Sequence, residues 1–279
     1  MLTVPVRQLG ETERGAVERF LDRDPYGAAQ VAERVAARGL SWWRAEGRVY
    51  GYGPRRHLES LCWFGSHITP VLAGPAAVAA FANLILAEER ACSSIVGRAE
   101  AVLGLWDRLA PAWGPARDVR PNQPLLVADA PPAVVPDGGV RLLRPDEIDL
   151  VFPAAVAMYT EEVGVSPLLE DGGRGYRTRV AELVRSRRAY ARVVGREVVF
   201  KAELAVVTAH TAQVQGVWVA PAWRGRGLAT AAMAAVVRDV LRRVAPSASL
   251  YVNDYNVPAQ RVYARCGFRP VGAFATVLF

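Results

Sequence analysis

Val217–Val237, VWVAPAWRGRGLATAAMAAVV, runs from an apolar alternation through Arg224-Gly225-Arg226-Gly227 into an alanine-rich stretch. The alternation stops at Pro221, as a strand does, and the run after the two glycines has a helical pattern. Glycine at 225 and 227 opens backbone conformations closed to other residues and removes side chains that would hold a ligand away. A helix that starts at once adds its free N–H groups and positive dipole end, which suits an anion. Arg224 and Arg226 contribute forked cationic donors. The same four residues also serve as a plain strand-to-helix turn, and alone they leave both readings open.

Working outward, the segment before this stretch reads as a strand meander. AYARVV and EVVFKAELAVV flank a turn at Gly195-Arg196, and AQVQGVWVA follows. Upstream, VRLLRPDEIDLVFPAAVAMYTEEVG gives a strand, then a helix whose Pro145-Asp146-Glu147 start has the proline-then-acid pattern of a first turn. EDGGRGY is a Gly-rich loop leading into the helix YRTRVAELVRSRR. After the alanine-rich helix come the strand SLYVN, the helix VPAQRVYARCG and the strand AFATVLF.

The N-terminal half is a mixed α/β pattern. VPVRQL, RVYGYG with its Pro54-Arg55-Arg56 turn, and QPLLVAD read as strands, and ESLCWFGSHITPVLAG continues the apolar run. ETERGAVERFLDRD, PYGAAQVAERVAARG, PAAVAAFANLILAEER and AEAVLGLWDRLAPAWG read as helices. Ala130–Gly139, APPAVVPDGG, concentrates proline and glycine and reads as a linker. The expected domains are therefore residues 1–130 and 140–279.

Arg224-Gly225-Arg226-Gly227-Leu228-Ala229, followed some thirty residues on by LYVNDYNVPAQRVYARCGFRPVG, resembles the GNAT superfamily of acyl-CoA N-acyltransferases. The first motif matches that family's Q/R-x-x-G-x-G/A pyrophosphate loop. Asn256, Ala259, Tyr263 and Gly267-Phe268 fall in register with its second signature. Two motifs in order and spacing are far more specific than either alone. The resemblance covers Val140 to Phe279 and implies an α/β protein, a mixed sheet with the GNAT fold in its C-terminal domain. The smaller N-terminal domain has an element order compatible with a degenerate copy of that fold, as in tandem members, although VGRAEAVLG lacks the loop spacing.

The resemblance also implies roles. The amides of Arg226, Gly227, Leu228, Ala229 and Thr230, with Arg224 and Gly225, would hold the pyrophosphate of acetyl-CoA or another acyl-CoA. Val217, Trp218 and Val219 would pair with the pantetheine arm as an added strand. Asn256, with Ala259, would meet the pantetheine, and Asn256 before Val-Pro is equally a helix cap. Tyr263 sits where the family has a tyrosine that protonates the departing thiolate. A phenol of ordinary pKa near ~10 is protonated at neutral pH and can donate.

The base is less plain. Family members with a strand glutamate before the loop place it where this chain has Gln213 and Gln215, and an amide is no base. Glu162 and Tyr251 are the leading candidates. Glu161-Glu162 end a helix near the expected acceptor loop, where they bind a cationic amine or face solvent. Glu203 shares a strand face with Lys201, which reads as an exposed ion pair.

The 279 residues, 52% hydrophobic and 22% charged, are ordinary globular composition. The formal charge is +7, yet Lys201 is the only lysine, which points to codon usage in a GC-rich genome rather than to nucleic-acid binding. No stacking or recognition-helix motif accompanies the arginines. The three cysteines, Cys62, Cys92 and Cys266, lack metal or disulfide spacing, so a reducing cytoplasm is expected, with no metal. No apolar run long enough for a membrane span occurs.

The expected function is transfer of an acyl group, acetyl in the first place, to a primary amine by direct attack in a ternary complex. A small-molecule or peptide amine, cationic ones included, is the expected partner. The competing reading is a catalytically silent acyl-CoA sensor or scaffold. Oligomeric state is not legible in the sequence.

Overall fold

The computed structural model describes residues 6–41, 47–55, 57–169 and 171–279. Val4 and Pro5 of the expected first strand, Arg56 of the expected turn and Glu170 of the Gly-rich loop lie outside the described residues. The chain forms two compact units. Unit 1 is Met1–Leu125, Tyr251–Tyr255 and Pro270–Phe279, and unit 2 is Leu126–Leu250 and Asn256–Arg269.

Unit 1 begins with β1 (Arg7–Gln8), α1 (Arg14–Leu21), α2 (Ala29–Arg38), β2 (Gly47–Tyr52), β3 (Ser60–Gly65) and β4 (His67–Val71). These strands pair antiparallel in sequence order. α3 (Pro75–Leu86), β5 (Ser94–Arg98), α4 (Ala99–Trp113) and β6 (Asp118–Ala128) follow, with β5 parallel to β4. Two large apolar clusters, beside a small one of Val96, Leu125 and Phe274, form the core among the described residues. One gathers Val17, Phe20, Leu61 and Trp63 under α1 and α2, and the other gathers Phe64, Phe81, Leu105 and Leu109 under α3 and α4. β5, SIVGR, is a strand that the sequence reading omits. It is five residues long and carries too little alternation to register.

Unit 2 holds β7 (Val140–Leu142), α5 (Ile148–Val163), α6 (Arg174–Arg185), β8 (Ala189–Val194), β9 (Glu197–Val207), β10 (Ala212–Val219), α7 (Leu228–Arg243), β11 (Ala248–Tyr251) up to Leu250, and α8 (Val257–Arg265). β8, β9 and β10 form the expected antiparallel meander, β7 adds to it antiparallel on β8, and β11 joins β10 in parallel. β9 is buried almost throughout, which is why EVVFKAELAVV reads as a near-continuous apolar run rather than an alternation. α5 and α6 pack Val151, Ala155, Val180 and Val184 against β8 and β9. α7 buries Ala232 to Val237 and Val240, and its alanines let the helix axis approach the sheet closely.

The last strand, β12 (Arg269–Leu278), runs antiparallel to β5 and puts Ala275 and Val277 into the unit 1 core. The compact units thus differ from a split into 1–130 and 140–279. Residues 251–255 and 270–279 go with unit 1, and residues 126–139 go with unit 2. Pairing between strands distant in sequence, not chain order, decides which body a segment joins.

Candidate functional site

β10 pairs with β11 at Ala212 and Gln213 and then continues for six residues, Val214 to Val219, beyond that pairing. The closed end is pinned by buried hydroxyls. Thr211 Oγ1 lies 2.9 Å from Ser249 Oγ and donates to the Ser247 carbonyl. Past Gln213, the β10 edge toward β11 offers backbone groups to an extended ligand.

The open stretch is kinked. Gln215 faces Glu203 and Trp218 faces Lys201, so β10 carries one residue more than β9 across this interval, a β-bulge. Gly216 supplies the bend at φ 57°, in the left-handed region. A Cβ there would sit 2.9 Å from Glu203 Cδ and 3.0 Å from Lys201 Nζ, so a larger residue would displace the ends of this ion pair as well as strain the backbone.

Beneath the bulge lies an ion pair. Lys201 Nζ donates to Glu203 Oε2 at 3.2 Å and to the Gly216 carbonyl at 3.0 Å. Both residues are buried, at 3% and 8% exposure. The pairing of Lys201 with Glu203 expected from their shared strand face is present, but it is not the exposed pair anticipated. β9 is buried from Val198 to Leu204, so the face that Lys201 and Glu203 share is covered. Two sequence signals mark this clamp, the one lysine of the chain inside an apolar strand and an isolated glycine inside a strand pattern.

The loop after β10 starts with a 3-10 turn, Pro221–Trp223, and passes through Gly225 at φ 73° and Gly227 at φ 78° into α7. Nothing lies within 4 Å of where a Cβ would stand on either glycine. Leu228, Ala229 and Thr230 open the helix; the N–H groups of Leu228 and Ala229 fall in the first turn, where intrahelical acceptors are lacking, whereas the Thr230 N–H, expected to face a ligand, donates to the Gly227 carbonyl at 3.2 Å. Arg224 turns away from this loop. Its Nε donates to the Val219 carbonyl at 2.9 Å and its Nη2 to Glu161 Oε2 at 2.7 Å. Trp218 Nε1 donates to Glu161 Oε1 at 3.1 Å, so Glu161 ties β10 and the loop to α5. Arg226 lies over the Trp223 ring, 5.8 Å from its centroid.

Asn256 caps α8, its side chain accepting from the Ala259 N–H at 3.2 Å, which leaves the amide NH2 as a donor to a ligand. Tyr263, on α8, is buried against Phe268, with ring centroids 5.7 Å apart. Burial raises its pKa well above the ordinary phenol value, and Glu162 and Cys266 add to the rise. Cys266 is buried and donates to the Thr230 carbonyl at 3.3 Å, with burial pushing its pKa up to about 11. A thiol so held is a packing residue.

Glu162, Tyr263 and the glycine loop are thus all in unit 2, and Glu162 acts electrostatically on both Tyr263 and Tyr176. Tyr251 belongs to unit 1, where its ring lies 5.0 Å from that of Phe274. Among the described residues no three His, Cys, Asp or Glu side chains gather to hold a metal ion, and no helix is long and apolar enough to cross a membrane.

Residues 177–268 match the family model described as Acetyltransferase (GNAT) family, and residues 47–151 match a Domain of unknown function (DUF4081). Solved structures of similar fold include an acetyltransferase of the GNAT family from Colwellia psychrerythraea, at 10% identity and TM-score 0.60 over 99% of both chains. A GCN5-related N-acetyltransferase from Sphaerobacter thermophilus is similar at 16% identity and TM-score 0.62 over 98% of this chain and 94% of its own. A tandem GNAT protein from the clavulanic acid biosynthesis pathway is similar at 16% identity and TM-score 0.52, over 98% and 97%. No curated protein matches the chain. The C-terminal part of the protein has the GNAT acetyltransferase fold.

Proposed function

We propose that the protein is an N-acyltransferase that moves an acyl group, acetyl in the first place, from acyl-CoA to a primary amine. The observation that carries this reading is a bulged strand edge running past its parallel partner into a bare double-glycine turn at a helix N-terminus. An extended amide chain ending in a diphosphate fits these two features together. The amides of Val217 and Val219 would meet the pantetheine arm, and those from Arg226 to Ala229 the diphosphate. Asn256 would donate its amide NH2 to the same arm.

In this reading Tyr263 keeps its proton at neutral pH because burial and Glu162 both oppose the phenolate. It gives that proton to the departing sulfur. The attacking amine loses its own proton to Glu162, directly or through one water, and Glu162 also attracts a cationic acceptor. Gln213 and Gln215, hydrogen-bonded to each other at 3.3 Å, orient rather than deprotonate. Lys201 holds the Gly216 carbonyl and so fixes the direction of the neighbouring N–H groups.

Among the described residues unit 1 has no such double-glycine turn between strand and helix, and β5 runs through Arg98 directly into α4. As a degenerate copy of the same fold it would not bind coenzyme. The second reading, a silent acyl-CoA sensor, draws on the amides Gln213 and Gln215 where a carboxylate base is expected.

Calorimetric titration with acetyl-CoA, followed by thiol release with amines, polyamines, peptides and aminoglycosides, tests the proposal. Absence of acetyl-CoA and longer acyl-CoA binding overturns both readings. Binding with no thiol release across the panel favours the sensor.

A further inference from the structure

Unit 2 contains a second concave site, a cavity of about 660 Å³ between β7, the end of α6 and the C-terminal half of α7. Its volume falls in the range of small-molecule sites, ~300–1,000 Å³. Seven of its lining residues are arginines, and Asp239 is the one acid among them. Arg141 is spent on Glu147, and Asp239 is spent on Tyr190 and Arg243. Arg185, Arg187 and Arg238 have no carboxylate partner among the described residues. The floor between them is apolar, formed by Val140, Leu142, Val184 and Ala235.

Arg187 stands on the cavity in an unusual backbone conformation. α6 ends in a Schellman motif, with the Arg188 N–H donating to the Leu183 carbonyl at 2.8 Å and the Arg187 N–H to the Val184 carbonyl at 3.0 Å. The residue between cap and exit must take a left-handed conformation, and glycine is the usual occupant. Here Arg187 occupies it at φ 59°. A strained arginine where glycine would fit best places a cation on the cavity rim at a cost in stability.

We propose that this cavity binds a nucleoside polyphosphate, the phosphates on Arg185, Arg187 and Arg238 and the base over the apolar floor. Guanidinium forks match phosphate oxygens bidentately. The site lies apart from the glycine loop, since Gly227 and Arg238 are separated by about 16 Å along α7. It therefore stands independently of the acyl-CoA reading.

The test is calorimetric titration of the full chain with ATP, inorganic triphosphate and a 20-bp DNA duplex, all with saturating coenzyme A. ATP is expected to bind in a salt-sensitive manner and more tightly than triphosphate. Arg185→Ala/Arg238→Ala should weaken it on the order of tenfold or more. Arg187→Gly should weaken it too while leaving the ligand-free Tm unchanged or raised, a combination that a merely structural arginine would not give. The proposal is overturned if ATP at millimolar concentration does not bind, if the variants bind it as the wild type does, if triphosphate binds equally well, or if the duplex alone is bound.

Discussion

Tyr263 is the residue on which the proposed chemistry turns. Buried and held protonated, it has the right state to donate, and Tyr263→Phe keeps the packing against Phe268 while removing the proton. Turnover should fall on the order of 10²-fold with acetyl-CoA affinity unchanged, read by thiol release and calorimetry. A matching loss of affinity would make the ring a binding residue instead. Lys201 gives a separate expectation at this scale. Lys201→Met strands Glu203 as a buried, unpaired carboxylate and should cost about 3–5 kcal/mol in denaturant unfolding. Lys201→Met/Glu203→Leu removes both charges and should cost markedly less.

At the scale of the element, the glycine turn and the bulge are separable devices. Gly227→Ala forces an L side chain into the left-handed region at φ 78°, a strain of about 1–2 kcal/mol, with open space around the new methyl. Acetyl-CoA affinity should drop roughly tenfold while the fold survives, seen as an unchanged circular dichroism spectrum beside a weaker titration. These elements were largely legible beforehand. The strand, the loop and the helix of 217–237 follow from alternation, glycine and alanine pattern, and the meander before them follows from its turns. The short β5 was not, because five residues paired on both sides hold no period of their own. Nor was the burial of Lys201 and Glu203, since alternation tells which residues share a face but not whether that face is covered.

For the whole molecule, acid should soften the two units in turn. His67, in unit 1, has its pKa lowered to about 4 by burial and then by Arg34. The unfolded chain takes up that proton near its ordinary value, so stability falls as pH drops from ~6.5 to ~4, by no more than about 3 kcal/mol. Glu147, in unit 2, is held at about 2 chiefly by Arg141, and its contribution is lost only as pH falls from ~4.5 toward 2. Hydrogen exchange followed by unit across this range should show unit 1 opening first, and His67→Gln should remove the earlier phase. Truncation after Arg269 should likewise unfold unit 1 before unit 2, because it deletes the antiparallel partner of β5 and the core residues Ala275 and Val277.

The sequence by itself determined the local grammar of this protein. Two spaced motifs, an alanine helix behind a double-glycine turn and a cap at Asn256 depend on residues a few positions apart, and short-range sterics and hydrogen bonding fix them. Only the tertiary structure decided that β12 completes unit 1, that Lys201 and Glu203 clamp the Gly216 bulge from inside, that Glu161 is tied to Trp218 and Arg224 while Glu162 acts on Tyr263, and that arginines from three distant segments rim one cavity. Each of these depends on which strands and helices meet across long separations in sequence. That is settled by burial and backbone pairing over a whole unit, not by any window of the chain.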